Sequence, residues 1–361
     1  MKKTKLSSVS NNSKQLLIEN SEKGNLKSFL TQFFPAFVVA LLPILVTRDH
    51  WVRVWNSGFP RAWDGTGHYA VAQIYANEIF PDTFGWIDNF FAGMPFPNFY
   101  PPLFYWLTAL LSKIGIFSFL TSFKIIVCLP IILMPLAIWF LAWKISGKNR
   151  TIATLSSLIC VWLSVDYHFV SAAFPLGLDY FSTFQIGLYA QPLGFILLLA
   201  WLFVYQDEEL NFRKIGVASV LLALVILANF FCAITACVFI FAYLVNDLSA
   251  FIFKKISLTQ FRQKTFRRLF IPVLALCLSA FWLVPMISQY KYFVTRPTHV
   301  ALFPSPTVWI FYALALLGCI VWLRKCDTGK FYVFACACLE FLFFSFLRLL
   351  RVGFLFKPIG F

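Results

Sequence analysis

Continuous apolar runs, separated mostly by short basic loops, make up most of the chain. The runs lie at about residues 29–46, 125–143, 151–166, 190–205, 215–246, 269–286, 306–323 and 331–347. About 20 apolar residues in a helix cross a hydrocarbon core of roughly 30 Å, where the backbone finds hydrogen-bond partners only within the protein. Strands of a membrane barrel alternate polar and apolar residues, whereas these runs do not. The pattern therefore predicts an all-α polytopic membrane protein.

The basic loops predict the direction in which each helix crosses. Lys and Arg are enriched in cytoplasmic loops of membrane proteins, so we place the loops 144–150 and 324–330 in the cytoplasm. The run 215–246 also lies between two basic loops and must cross twice, so we split it near Asn229. A span at 101–118 would turn these loops outward, so we expect a helix on the outer surface there. The result is about nine spans, with the N-terminus inside and the C-terminus outside.

The polar segments divide the chain into three parts. Residues 1–28 are polar and basic, which is typical of a disordered cytoplasmic tail before an uncleaved first span. Residues 29–290 form the membrane module. Its first outer loop, 47–121, is rich in polar and aromatic residues, and we expect amphipathic surface helices in it. Residues 291–361 form the last outer loop and a C-terminal helix pair.

Composition and charge agree with a multi-pass protein of the plasma (inner) membrane. Of the 361 residues, 60% are hydrophobic and 12% are charged, which excludes an ordinary soluble domain. The net charge of +15 comes mostly from the inner loops. It favours contact with anionic membrane lipids rather than with nucleic acid. Most of the nine Cys lie in apolar runs and no CxxC spacing occurs, so neither a disulfide framework nor a zinc site is indicated.

Candidate chemistry begins just after the first span, in "WDGTGHYAVAQIYANEIF". Asp64 precedes an amphipathic helical pattern as a possible N-cap, and His68 follows four residues later on the same face. The chain's four His are all expected on the outer side of the membrane: His50, His68, His168 and His299. The outer loop is therefore the region in which to look for a site.

The order of three motifs resembles the GT-C superfamily of membrane glycosyltransferases. These motifs are "D-x-x-x-H" at Asp64–His68, "G-W…G-x-P-x-P-x-x-Y-P-P-L-x-Y" at Gly85–Tyr105 and "LSAFWLVP" at Leu278–Pro285. Lipid A aminoarabinose transferases and protein O-mannosyltransferases carry a similar Pro-Pro-Leu element. The chain is more similar to bacterial polytopic membrane proteins known as 6-pyruvoyl-tetrahydropterin-synthase-related. The similarity covers most of residues 29–290, although GT-C enzymes often carry a second acidic residue where this chain has Gly65.

This resemblance implies a transferase that takes a sugar from a polyprenyl-phosphate donor at the outer face. Asp64 and His68 would be the catalytic residues, with a divalent metal as a possible cofactor. Six further residues are candidate substrate contacts: Asp88, Tyr100, Tyr105, His299, Arg348 and Arg351. Membrane lipids would be the other partners. Proteins of this kind usually continue with more spans or an outer domain, so the expectation for this chain is either a fragment or a degenerate copy.

Each candidate also has a simpler structural interpretation. Asp64 could act only as a helix cap, His68 as an interfacial aromatic-like side chain, and Asp88 as a solvated turn residue. Arg348 and Arg351 could contact lipid headgroups, or the number of helices could differ.

Two other functions stay open at this level. A transporter or flippase of a lipid-linked saccharide would have the same topology, but few charges line the spans and no inverted repeat is visible. A non-catalytic membrane scaffold would explain the missing second acid.

Overall fold

The computed structural model of the protein describes residues 33–56, 62–88, 93–165, 180 and 182–292. Within these residues the chain is mostly helical, with one two-stranded hairpin. The helices are α1 (Phe33–Val46), α2 (Arg48–Asn56), α3 (Gly65–Ile74), α4 (Leu103–Lys113), α5 (Phe119–Ile145), α6 (Arg150–Val165), α7 (Ala190–Tyr205), α8 (Phe212–Ala228), α9 (Phe230–Ile252) and α10 (Leu258–Ser288). A π-helical turn, Tyr75–Ile79, extends α3, and a second one, Ser182–Ile186, precedes α7.

The helices α5 to α10 run alternately between two polar ends of one bundle. At the first end, the Trp282 indole of α10 donates to the carbonyl of Pro97 (2.9 Å), in the loop that also leads to α4. At the second end, Arg268 of α10 donates to the carbonyl of Tyr205, where α7 ends. We call these the Asp64 end and the Asp207 end, after the acidic residue in the loop at each. The alternation follows from short connections between long apolar helices.

Several described helices are long and apolar enough to cross a membrane. There are three of them in this part of the chain, α5, α9 and α10, or four if the bent pair α1–α2 counts as one span. The predicted break near Asn229 is confirmed, because Asn229 is extended (φ −159°, ψ 127°) and its side chain caps α9 by accepting from the Cys232 amide. Nine spans stay a prediction, since 306–323 and 331–347 lie outside the described residues.

Three helices lie within the expected outer loop 47–121: α2, α3 and α4. Helix α4 forms within the predicted segment 101–118, and its 11 residues extend only about 16 Å. It buries Phe104 and Tyr105 against the bundle. Helix α2, with the sequence "RDHWVRVWN", is one of the amphipathic helices expected in this loop, and it buries Trp51 and Val54. It follows α1 after a 68° bend at Thr47, and the indole of Trp51 donates to the Thr47 hydroxyl (2.6 Å).

The hairpin holds the Gly- and Pro-rich part of the loop against the bundle. Strand β1 (Gly85–Ile87) pairs antiparallel with β2 (Met94–Phe96) in the register Gly85 to Phe96. Ile87 and Phe96 are buried beneath it. Just beyond β2, the amide of Asn98 donates to Gln289 after α10 (2.9 Å). Contacts with the bundle therefore hold this part of the loop in place.

Candidate functional site

The turn that carries Asp64 is fixed by its backbone. The Asp64 amide donates to the Ile186 carbonyl (2.6 Å), and the Trp63 amide donates to the Gln185 carbonyl (2.8 Å). Gly187 follows with a positive φ of +98°, and a Cβ there would lie 2.7 Å from the Gly65 nitrogen. Only glycine combines this φ with so close an approach of two backbones. The second π-helical turn therefore forms a seat for the Asp64 turn.

The Asp64 carboxylate is exposed and does not cap the helix. Asp64 occupies the N-cap position of α3, but its backbone is αR (φ −85°, ψ −8°) and its side chain makes no capping hydrogen bond. A capping side chain usually needs an extended backbone at this position. The prediction that Asp64 caps the helix is therefore wrong. Its negative charge still lies where a helix N-terminus favours an anion.

His68 lies one helical turn further on, within a cage of aromatic rings. Its Nδ1 is 2.8 Å from the Tyr105 hydroxyl. The ring centroids that surround it lie 5.5 to 6.2 Å away and belong to Tyr100, Phe104, Tyr105 and Tyr189. Burial lowers the pKa of His68, and the nearby Asp64 charge opposes this only in part. His68 is therefore neutral near pH 7 and can donate one hydrogen bond and accept another.

Two of the three tyrosines of the cage, Tyr100 and Tyr105, were predicted from the sequence and keep their protons. Burial, followed by the charge of Asp64, raises the pKa of Tyr100 to about 12. Burial, followed by the neighbouring Tyr100, raises the pKa of Tyr105 well above its ordinary value. The structure thus brings together four of the predicted site residues. They are the exposed carboxylate of Asp64, the neutral imidazole of His68, and the phenols of Tyr100 and Tyr105.

The remaining predicted residues do not join this group. Asp88 is exposed in the turn after β1. Among the described residues it makes no hydrogen bond to the Asp64 group, which agrees with a solvated turn residue. His299, Arg348 and Arg351 lie outside the described residues. His50 lies on the other side of the seat, where its ring stacks on Phe184 (5.3 Å between centroids).

Several residues at the Asp64 end were not found by sequence reasoning. Tyr189 closes the cage and Gly187 shapes the seat, yet both are distant in sequence and carry no local signal. Trp63 is 86% exposed beside Asp64. Lys124 is 5% exposed near the start of α5, and its Nζ lies 5.8 Å from the ring centroid of Trp55 in α2. Because a charge within an apolar run is costly and usually functional, Lys124 could have been identified from sequence.

The resemblance to GT-C enzymes implied a divalent metal as a possible cofactor at this site. Within the described ranges, no three His, Cys, Asp or Glu side chains come together in a way that could hold a metal ion. Asp64 and His68 would supply at most two protein ligands.

Comparison of the chain with protein-family models and with curated proteins finds no match.

Proposed function

We propose that this protein is a GT-C-like membrane glycosyltransferase that uses a polyprenyl-phosphate sugar at the outer face of the plasma membrane. The proposal includes about nine spans and a cytoplasmic N-terminus. The exposed Asp64 carboxylate carries it, because this side chain makes no capping hydrogen bond and lies beside a neutral imidazole and protonated phenols. Asp82 and Asp88 of the same loop are exposed too, so the position beside His68 and Tyr100, and not exposure alone, distinguishes Asp64.

Asp64 acts as the general base. It accepts the proton of an acceptor hydroxyl as the acceptor oxygen forms a bond to the anomeric carbon. The bond between that carbon and the donor phosphate oxygen breaks, and polyprenyl phosphate leaves. His68 stays neutral and orients the acceptor through a hydrogen bond, while Tyr105 holds the imidazole. The exposed Trp63 ring provides a flat apolar surface for a sugar ring.

The polyprenyl chain of the donor binds along the apolar outer surface of the bundle. This surface keeps the polyprenyl chain in the bilayer, so that the sugar phosphate reaches the Asp64 end. Cations there neutralise the leaving phosphate. Lys124 near the start of α5 is the described candidate, and Arg348 and Arg351 are candidates from the sequence.

Proteoliposomes that contain the protein and radiolabelled polyprenyl-phosphate sugars test this function. We expect label transfer to an acceptor, and loss of about 10²–10⁴-fold in rate in Asp64→Asn. Asp82→Asn is the matched control, because Asp82 is an exposed carboxylate in the same loop and should keep full activity. Parallel reactions with EDTA measure any metal requirement.

Two outcomes would contradict the proposal. Movement of the labelled lipid across the bilayer without transfer would indicate a flippase. Full transfer by Asp64→Asn would remove Asp64 as the base. A third outcome, the absence of both transfer and movement with every donor in a panel, would indicate a non-catalytic scaffold.

A further inference from the structure

A polar pocket opens at the Asp207 end, away from the candidate active site. Its volume is about 340 Å³. The side chains that line it come from the loop after α7 and from the first turns of α10, and include Glu208, Glu209, Gln263, Lys264, Arg267 and Arg268. Helix α7, with 16 residues, places it about 24 Å from the cage around His68. The pocket is therefore a separate site.

The two walls of the pocket carry opposite charges. Lys264, Arg267 and Arg268 lie on one face of α10, because residues three and four apart in a helix are neighbours. Glu208 and Glu209 lie on the facing loop. Among the described residues, neither glutamate side chain forms an ion pair with these three cations. A ligand that carries both charges would match both walls.

Arg268 is a buried cation that is already held in place. It is 4% exposed, and its Nε donates to Asp247 (2.9 Å) while Nη1 donates to the carbonyl of Tyr205 (3.1 Å). Its guanidinium carbon lies 5.3 and 4.6 Å from the ring centroids of Tyr205 and Tyr243. A guanidinium has five N–H donors, so donors on Nη2 remain for a ligand.

A crossing of the membrane by α10, a candidate span, would place the pocket at the depth of lipid headgroups. Helix α10 has 31 residues and is about 46 Å long, so it exceeds the roughly 30 Å hydrocarbon core by about 16 Å. The excess is the polar segment before Leu269. Phe266, 67% exposed, lies on this segment and offers an apolar ring to the membrane interface.

We propose that this pocket binds the headgroup of a phospholipid that carries a phosphate and a primary ammonium, as in phosphoethanolamine. Lys264, Arg267 and Arg268 bind the phosphate oxygens. Glu208 and Glu209 accept hydrogen bonds from the ammonium. A quaternary ammonium has no N–H to donate, so a choline headgroup binds less well, and a glycerol headgroup leaves the glutamates without a partner.

Native mass spectrometry of the purified full chain, titrated with single lipids, tests this inference. We expect phosphatidylethanolamine to be retained at least tenfold more than phosphatidylcholine. Arg267→Gln should lower its retention about tenfold, because one charge-assisted contact is lost. Glu208→Gln with Glu209→Gln should remove the preference over phosphatidylcholine. Arg262→Gln is the control, because Arg262 is exposed on α10 outside the pocket lining.

Three results would overturn the proposal. These are equal retention of the two lipids by the wild-type chain, the same loss in Arg262→Gln as in Arg267→Gln, and an unchanged lipid preference in the double glutamate variant. Free phosphoethanolamine, titrated in the same way, distinguishes the source of the ligand. Saturation by it at micromolar concentration would show a soluble ligand and not a lipid. Glycosyl transfer is not part of this readout, so its absence leaves the test intact.

Discussion

The acidic residues at the two polar ends of the bundle differ in their charge partners. At the Asp207 end, Asp207 contacts Lys144 (2.5 Å) and Lys214 (2.8 Å), and buried Asp247 contacts Arg268 (2.9 Å). At the Asp64 end, Asp64 is exposed, and the described residues offer its side chain neither a capping bond nor a salt bridge. The acidic residues that hold these helices together are paired. Asp82 and Asp88 are exposed like Asp64, so what distinguishes Asp64 is its position beside His68 and Tyr100.

An Asp→Asn substitution at each end tests this difference with the largest expected effect on stability. Asp247→Asn should destabilise the protein by about 3–5 kcal/mol, because it leaves the Arg268 charge buried without a counter-ion. Asp64→Asn should cost at most about 1 kcal/mol, because it removes an exposed charge from the N-terminus of α3 but no capping bond, while transfer activity falls. Thermal unfolding in detergent measures both. If Asp64→Asn destabilised the protein as much as Asp247→Asn, the distinction between the two ends would be wrong.

The next largest effect on stability and activity is expected from a substitution at Gly187, in the seat below Asp64. Gly187→Ala adds a Cβ 2.7 Å from the Gly65 nitrogen, so the Asp64 turn must shift and both stability and activity should fall. Gly147→Ala is the matched control, because Gly147 also has a positive φ (+68°) but nothing within 4 Å of an added Cβ. We expect the control to lose only about 1 kcal/mol, from backbone strain. Equal losses of stability would show that the contact with Gly65 has no importance.

The sequence predicted the helical bundle better than it predicted the site. The break near Asn229 was predicted because basic loops on both sides of the run 215–246 require it to cross twice. The proximity of Asp64 and His68 followed from helical spacing, and the structure has them one turn apart, with the His68 amide donating to the Asp64 carbonyl (3.0 Å). Both results depend on local rules.

The features that sequence reasoning missed are non-local. The Asp64 cap was wrong because docking of its amide on Ile186 fixes an αR backbone, which overrides the local preference of aspartate. Tyr189 joins the cage only through the packing of α7.

A smaller effect should follow from the protonation of His68. Because burial lowers its folded pKa, the unfolded chain, with an ordinary value near 6.5, binds more protons between the two values. Stability should therefore fall as the pH decreases below about 6.5, and His68→Gln should reduce this slope. Unfolding temperatures between pH 7.5 and 5 measure it, with Asp82→Asn as a control. An unchanged slope in His68→Gln would place the titrating group elsewhere.

The smallest effect is expected at the Asp207 network, where the paired charges are partly exposed. Burial raises the pKa of Asp207, but the hydrogen bonds from Lys144 and Lys214 outweigh it, so the folded pKa is below its ordinary value. This contribution is present above about pH 4, the ordinary value of an unfolded aspartate, and is lost as the pH falls through the lower folded value.

Lys214→Gln should cost at most about 1 kcal/mol near pH 7, because the pair is screened by solvent. Lys144→Gln should cost more than Lys214→Gln, since Lys144 also donates to the Phe203 carbonyl and lies over the Phe203 ring (4.1 Å to the centroid). Unfolding of both variants at pH 7 orders them, and a greater loss in Lys214→Gln would show that the charge pair, and not the packing of Lys144, holds α5 to the end of α7.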